Sequence, residues 1–281
     1  MLKKLSPSAI KGYRAMLSSA FRHCGKDLAG SVILRDLIRS TVIKTPVVDS
    51  NKVSWNLDVV LQYLLRPPFE PIDRASSLNL LRKTLFLVAL ATSKRVSELH
   101  GLANKVGYMN GDAVVSYQQT FVAKTENSLR KLPRRIVIKN LELLAGQEPD
   151  GFNCPVRALN IYLAKLEDAP NRASSLFCAL RSPHKPLSKN GVSMHLRMSI
   201  KEAHANLPEH MYPVCKVKSQ EVRAVALSMR YNLNWNVLDL LYSATWRCDS
   251  MFAMHYLKEV EVDYGHCKAI GPFVAAGAVI M

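Results

Sequence analysis

The chain has 281 residues, 48% of them hydrophobic, enough for one large domain or a domain with a small companion. Lys and Arg number 38 against 22 Asp and Glu, a formal net charge of +16. Such a balance favours a polyanionic partner, nucleic acid before an acidic protein or an anionic membrane surface. No run of about 18 uninterrupted apolar residues occurs, and Met1-Leu2-Lys3-Lys4-Leu5-Ser6 lacks an apolar signal core. A membrane span and a secretory leader are therefore not expected, and the chain reads as intracellular.

In chain order, Ser6 caps a predicted helix that runs to Cys24, with Pro7 in its first turn and Gly25 as its stop. Ile10, Tyr13, Leu17 and Phe21 follow at helical spacing. A second helix is predicted over Ser31–Ser40, and Thr45–Val53, with Pro46, Asp49, Ser50 and Asn51, reads as a linker. Helices follow at Leu57–Leu65, ended by Pro67-Pro68, at Ser76–Thr92, apolar enough to be central, and at Arg95–Asn104.

The pattern then changes to strand. Asn110-Gly111 is a hairpin signal, and strands are expected at Ala113–Val122 and Arg134–Ile138, joined by the polar stretch Lys124–Lys131. Further helices are predicted at Val156–Leu166, with Pro155 at the start, then at Ser188–Ala205, Ser219–Tyr231, Trp235–Ser243 and Asp249–Leu257. The tail Ile270–Met281 is apolar. The fold class expected is mainly α with a small antiparallel β-sheet (α+β). A short helical N-terminal part, residues 1–51, precedes a larger domain, residues 52–281.

Cys24, Cys154, Cys178, Cys215, Cys248 and Cys267 form no CxxC pair and read as reduced thiols. His184, His195, His204 and His210 lack zinc spacing, so no metal is expected.

Four separated pieces carry possible chemistry. In Lys94-Arg95-Val96-Ser97-Glu98-Leu99, Arg95 and Glu98 share a helix face, and a guanidinium braced by a carboxylate near a helix start can hold a phosphate oxygen. Lys124, in Val122-Ala123-Lys124-Thr125, is placed to deliver a proton to a leaving oxygen from a hairpin tip. In Lys218-Ser219-Gln220-Glu221-Val222-Arg223, Gln220 and Arg223 share a face, and Arg223 offers a second fork to the same anion. Finally, Trp246 precedes Tyr256 by ten residues. A phenol of pKa about 10 becomes a nucleophile only beside cations that favour its phenolate. Taken singly, each piece is an ordinary feature: a surface ion pair, a turn lysine, a helix-surface arginine, a packing aromatic.

Taken together and in order, they resemble the tyrosine recombinase, or phage integrase, family. That family runs from an R-x-S-E-L helix through a β-hairpin lysine and an H-x-x-R helix to a late histidine or tryptophan and then the tyrosine. The wording is most similar to recombinases of DIRS-type eukaryotic retrotransposons, through Pro67-Pro68-Phe69-Glu70-Pro71, Lys83-Thr84-Leu85-Phe86-Leu87 and Gly271-Pro272-Phe273-Val274-Ala275-Ala276. The resemblance implies the tyrosine recombinase catalytic fold and double-stranded DNA as partner. It implies that Arg95 and Arg223 stabilise the pentacoordinate phosphate and that Lys124 protonates the departing 5′ oxygen. Trp246 would bond a phosphate oxygen, Glu98 would orient its neighbours, and Tyr256 would attack and stay joined to the 3′ phosphate. Family order argues against Tyr242, and Tyr264 lies beyond the last predicted helix. It also implies no cofactor, a homotetramer on two duplexes and a nuclear location.

Two departures stand out. Gln220 replaces the H-x-x-R histidine, and an amide cannot act as a general base near neutral pH. The helical part before the linker is shorter than the family's DNA clamp. A DNA-binding protein of the same fold without catalysis, a relaxing topoisomerase and a basic helical interaction module are the alternatives.

Overall fold

The computed structural model describes residues 7–28, 30–43, 53, 55–124, 126, 134–141, 151–167, 173–205, 207, 217–233, 235–244, 257–258 and 276–280. Along the chain its elements are α1 (Pro7–His23), α2 (Val32–Ile43), α3 (Leu57–Leu64), α4 (Ser77–Thr92), α5 (Val96–His100), β1 (Gly107–Met109), β2 (Asp112–Ser116), β3 (Arg135–Ile138), α6 (Pro155–Lys165), α7 (Lys189–His204), α8 (Gln220–Asn232), α9 (Val237–Ala244) and β4 (Ala276–Ile280). The fold class is mainly α with a small antiparallel sheet. The chain forms two compact units, Met1–Ser50 and Asn51–Met281. Among the described residues no helix is long and apolar enough to cross a membrane.

In the first unit, α1 packs on α2. Gly25 stops α1 because it adopts φ +71°, a conformation that costs glycine little. The Gly25 N–H then donates to Arg22 O and the Lys26 N–H to Phe21 O, the paired bonds of a Schellman stop. Tyr13, Leu17, Ile33 and Leu37 stay exposed on this unit.

The second unit is built around α4. The Ser76 side chain accepts the Asn79 N–H at 3.2 Å, which starts the helix one residue after the sequence signal. From Leu80 to Thr92 nearly every side chain is buried, because α6, α7, α8 and β3 all pack on it. Other starts follow the same chemistry. Asn56 caps α3, Ser188 caps α7, and Cys154 with Pro155 opens α6. His204 Nε2 accepts the Asn56 N–H at 3.0 Å, which pins the start of α3 to the end of α7.

The sheet has the order β1-β2-β3-β4, all antiparallel. Asn110 at φ 52° and Gly111 at φ 83° form the predicted two-residue hairpin, whose twist requires positive φ at both positions. Part of the apolar tail supplies β4, with Val279 opposite Ile136. Two expectations are corrected. The helix predicted over Arg95–Asn104 ends at His100, because Leu102 and Ala103 leave it to bridge Tyr117 and Ser175. The strand predicted over Ala113–Val122 ends at Ser116; Tyr117 pairs with Leu102, and the Gln118 N–H turns to Gly101 O.

One buried ionic staple holds α3, α4 and α6 together. The Glu70 carboxylate accepts from Lys83 Nζ and, in a fork, from Arg157 at 2.8 and 3.2 Å, while Lys83 also donates to Leu64 O at 2.8 Å. Burial pushes Glu70 upward, but the bonds from Arg157 and Lys83 outweigh it and hold the carboxyl below its usual value. Removing one member of a buried ion network leaves the others uncompensated. Glu70→Ala should therefore lower the unfolding free energy by about 3–5 kcal/mol in urea denaturation. Lys83→Met, which leaves Glu70 with Arg157, should cost clearly less. Equal losses would show that the staple acts only through packing.

Candidate active site

The site begins where α4 ends. Ser93 takes a left-handed turn at φ 50°, and its N–H donates to Ala89 O. That reversal sends Lys94 inward, where it is 5% exposed, and makes Arg95 the residue that opens α5. Glu98, one turn on, reaches back to the Arg95 N–H with Oε2 at 2.9 Å. This is the return half of a capping box, in which a third-position glutamate satisfies the first backbone donor. The other oxygen, Oε1, accepts Arg95 Nη1 at 2.8 Å. The three-residue spacing of Arg95 and Glu98 thus serves two ends: it caps the helix and fixes the guanidinium.

Arg223, on the first turns of α8, reaches the same carboxylate with Nη1 3.4 Å from Oε2. The Glu98 and Arg223 side chains are 1% and 3% exposed, while that of Arg95 is 22% exposed. So the carboxylate is sealed, one guanidinium lies beneath and the other opens towards solvent. The start of α8 is itself held: Trp55 Nε1 donates to Glu221 at 3.2 Å, and the Ser219 and Ser193 hydroxyls lie 2.8 Å apart.

Among the described residues, the charges around Lys94 are mostly positive. Lys94 is pushed down to about 8, first by burial, with Glu98 opposing and Arg223, Arg230 and Arg95 adding to the fall. Among the described residues Lys94 therefore feels three other cations and one carboxylate. Such a buried excess of positive charge draws an anion rich in acceptor oxygens, for which guanidinium forks are well matched.

Tyr117 borders the same charges. Its ring stacks on Phe121 with centroids 4.9 Å apart, and its buried hydroxyl has no hydrogen-bond partner. Burial, with Glu98 and Glu126 adding to it against Arg223 and Arg95, pushes the phenol well above its usual value. Phe121 occupies the space a side chain at Gly101 would need, with a ring atom 2.3 Å from the position of a Cβ, so glycine is required there. The contact seats the chain beyond β2 against the end of α5.

The structure brings Arg95, Glu98 and Arg223 into one cluster. Gln220 is exposed in the first turn of α8. Lys124 is exposed in a turn past the end of β2, closed by the Ala123 N–H to Glu126 Oε2 (2.8 Å) and the Glu126 N–H to Ala123 O (2.9 Å). No contact joins Lys124 to the cluster. Trp246, Tyr256 and the predicted helix Asp249–Leu257, apart from Leu257, lie outside the described residues. The next residues, Leu257 and Lys258, are described, and the Lys258 N–H donates to Ser228 Oγ on α8 at 2.9 Å. Three members of the neighbourhood escaped the sequence reading: Lys94, Tyr117 and Arg230. Lys94 adjoins Arg95 at the end of an apolar helix, and Arg230 follows Arg223 by seven residues, two helical turns, so their positions carried a signal. Tyr117 carried none.

No family model and no curated protein matches the chain. Solved structures similar to it include a lambda integrase dimer bound to a COC′ core site, at 16% identity and a TM-score of 0.47, covering 93% of this chain and 67% of that one. A lambda integrase tetramer bound to a Holliday junction matches at 15% identity and a TM-score of 0.46 with the same coverage.

Two outcomes follow from the charge imbalance and the orphaned hydroxyl. The unfolded chain holds the Lys94 proton more tightly than the folded one, so the cost of burying the cation is full below about pH 8 and is relieved as pH rises towards the ordinary lysine value. Lys94→Met should raise the melting temperature at pH 7 and flatten the stability gain that the parent shows above pH 8. Tyr117→Phe removes a buried donor that has no partner, so it should leave thermal stability unchanged or higher. A clear fall would mean that the hydroxyl is bonded.

Proposed function

We propose that the chain is a tyrosine recombinase that cuts and rejoins double-stranded DNA through a 3′-phosphotyrosine bond made by Tyr256. The observation that carries this reading is the cluster in which Arg95 and Arg223 share one buried carboxylate, Glu98, with the buried Lys94 beside them. A phosphodiester offers negative oxygens to these cations, and the gain grows as its charge spreads over more oxygens in the transition state. The order of R-x-S-E-L, lysine, arginine helix, tryptophan and tyrosine supports the same reading.

In this mechanism Arg95 and Arg223 grip the non-bridging oxygens. The Tyr256 hydroxyl gives its proton to solvent, its oxygen attacks phosphorus, the bond from phosphorus to the 5′ oxygen breaks with its electron pair, and Lys124 gives that oxygen a proton. Rejoining runs the steps in reverse, with no cofactor, because the phosphotyrosine retains the energy of the broken ester. Trp246 and Gln220 bond phosphate oxygens, and Glu98 holds both arginines in place. Lys11, Arg14, Ser18 and Arg22, which line a shallow concavity along α1, support a clamp role on DNA for residues 1–51. The finer reading is a mobile-element recombinase of the DIRS type, nuclear, acting as a tetramer. Gln220 favours a second reading, a DNA-binding protein of the same fold without cleavage.

A nicked suicide duplex separates the two. The parent chain should form a covalent adduct that maps to Tyr256, and Tyr256→Phe should bind DNA without forming it. Arg95→Ala and Arg223→Ala should each slow adduct formation by roughly 10²-fold, as loss of an oxyanion donor does. Gln220→His should speed it at unchanged affinity. DNA binding that weakens steeply with salt, with no adduct on any nicked site, would leave the second reading standing.

A further inference from the structure

The conformation of residues 92–95 sets where Arg95 points, and the end of α4 sets that conformation. The last carbonyls of a helix have no partner within it and must find one elsewhere. Here the four from Val88 to Ala91 are accounted for. Val88 O accepts from Thr92 Oγ1 at 2.7 Å, and Ala89 O accepts the Ser93 N–H at 2.9 Å. Leu90 O accepts from Arg230 Nη2 at 3.1 Å, and Ala91 O accepts from the same nitrogen. The final pair is thus held by a side chain from α8, far away in sequence.

That side chain is an unusual choice. Arg230 is 1% exposed, and its Nε has no hydrogen-bond partner. No carboxylate pairs with it among the described residues; its guanidinium lies 5.5 Å from the centre of the Trp235 ring, and the Trp235 backbone N–H donates back to Arg230 O at 3.1 Å. Burying a cation with only carbonyls and a ring for company costs stability, and water or a glycine turn caps most helices without it. Arg230 also lies two turns from Arg223, so one face of α8 sends one guanidinium to Glu98 and the other to the end of α4. Both ends of the Ser93–Glu98 segment are therefore referenced to the same helix.

We propose that Arg230 is a positioning residue: by clamping Leu90 and Ala91 it fixes the left-handed turn at Ser93 and so aims Arg95 at the phosphate. This rests on the recombinase reading for the identity of the ligand, but the clamp itself acts on Arg95 whatever the anion. A single nitrogen, Nη2, bonds both carbonyls, held in place by a rigid guanidinium plane near the Trp235 ring; lysine keeps the charge on a flexible stem without that plane, so it replaces the charge without replacing the clamp.

The test uses the full chain, a nicked duplex at saturating concentration, and temperatures well below each variant's melting point. Arg230→Met and Arg230→Lys should each slow adduct formation at least roughly 10-fold, while the duplex dissociation constant stays within about 2-fold, the split expected when an interaction serves the transition state. In an Arg95→Ala background, Arg230→Lys should cost nothing further, because its effect passes through Arg95. Full rescue by lysine, or an undiminished cost without Arg95, overturns the proposal in favour of a charge effect or general support. Should Arg230→Met fail to fold, Arg230→Lys and Trp235→Leu carry the comparison. A second readout needs no cleavage. The Nε–Hε resonance of Arg95, identified by its loss in Arg95→Lys, should move in Arg230→Lys, and an unmoved resonance refutes the clamp. If the parent forms no adduct but that resonance moves, strand cleavage fails and the clamp stands.

Discussion

Glu98 is the carboxylate on which the second unit turns. It caps α5 through the Arg95 N–H, holds the Arg95 guanidinium and receives Arg223 from α8. Its position is possible only because Ser93 reverses the chain at the end of α4, and the surrounding burial makes each bond count. Among the described residues, Lys94 feels Glu98 and the three cations Arg223, Arg230 and Arg95. Gathering buried cations at one place is costly, and proteins keep such local conflicts mainly where function requires them.

The division of labour between the two arginines follows from their exposure. Arg95 is partly open and bonded twice to Glu98, whereas Arg223 is sealed and makes a longer contact. A ligand arriving from solvent meets Arg95 first. Arg223, at 3.4 Å from Glu98, gives up less in turning towards an anion than a short fork would. The pair therefore combines a fixed grip with one that has room to tighten.

Much of this was legible in the sequence where local chemistry decides structure. Ser76, Ser188 and Pro155 announce helix starts, Gly25 announces a stop, and Asn110-Gly111 announces its turn. The Arg95–Glu98 pairing was readable because three residues place both on one helix face. What was not legible depends on partners distant in sequence. The helix after Arg95 stops at His100 because Leu102 finds Tyr117, and nothing near Leu102 encodes that. Arg230 shares helical spacing with Arg223, but nothing near it in the sequence encodes its bonds to Leu90 and Ala91. Tyr117 sits beside the cluster only through the sheet register and the Phe121–Gly101 contact.

Gln220 gains its significance from where it stands. It is exposed in the first turn of α8, on the solvent side of a helix whose Arg223 and Arg230 are buried. A histidine there would be a titratable group that can give or take a proton; an amide offers only bonds of fixed kind. The buried cations do not depend on that choice, since their partners are Glu98 and the end of α4. On the recombinase reading, phosphate binding and proton transfer would therefore be separable: the cation cluster would grip a phosphodiester whichever residue stands at position 220, and proton transfer would fall to groups other than the Gln220 amide.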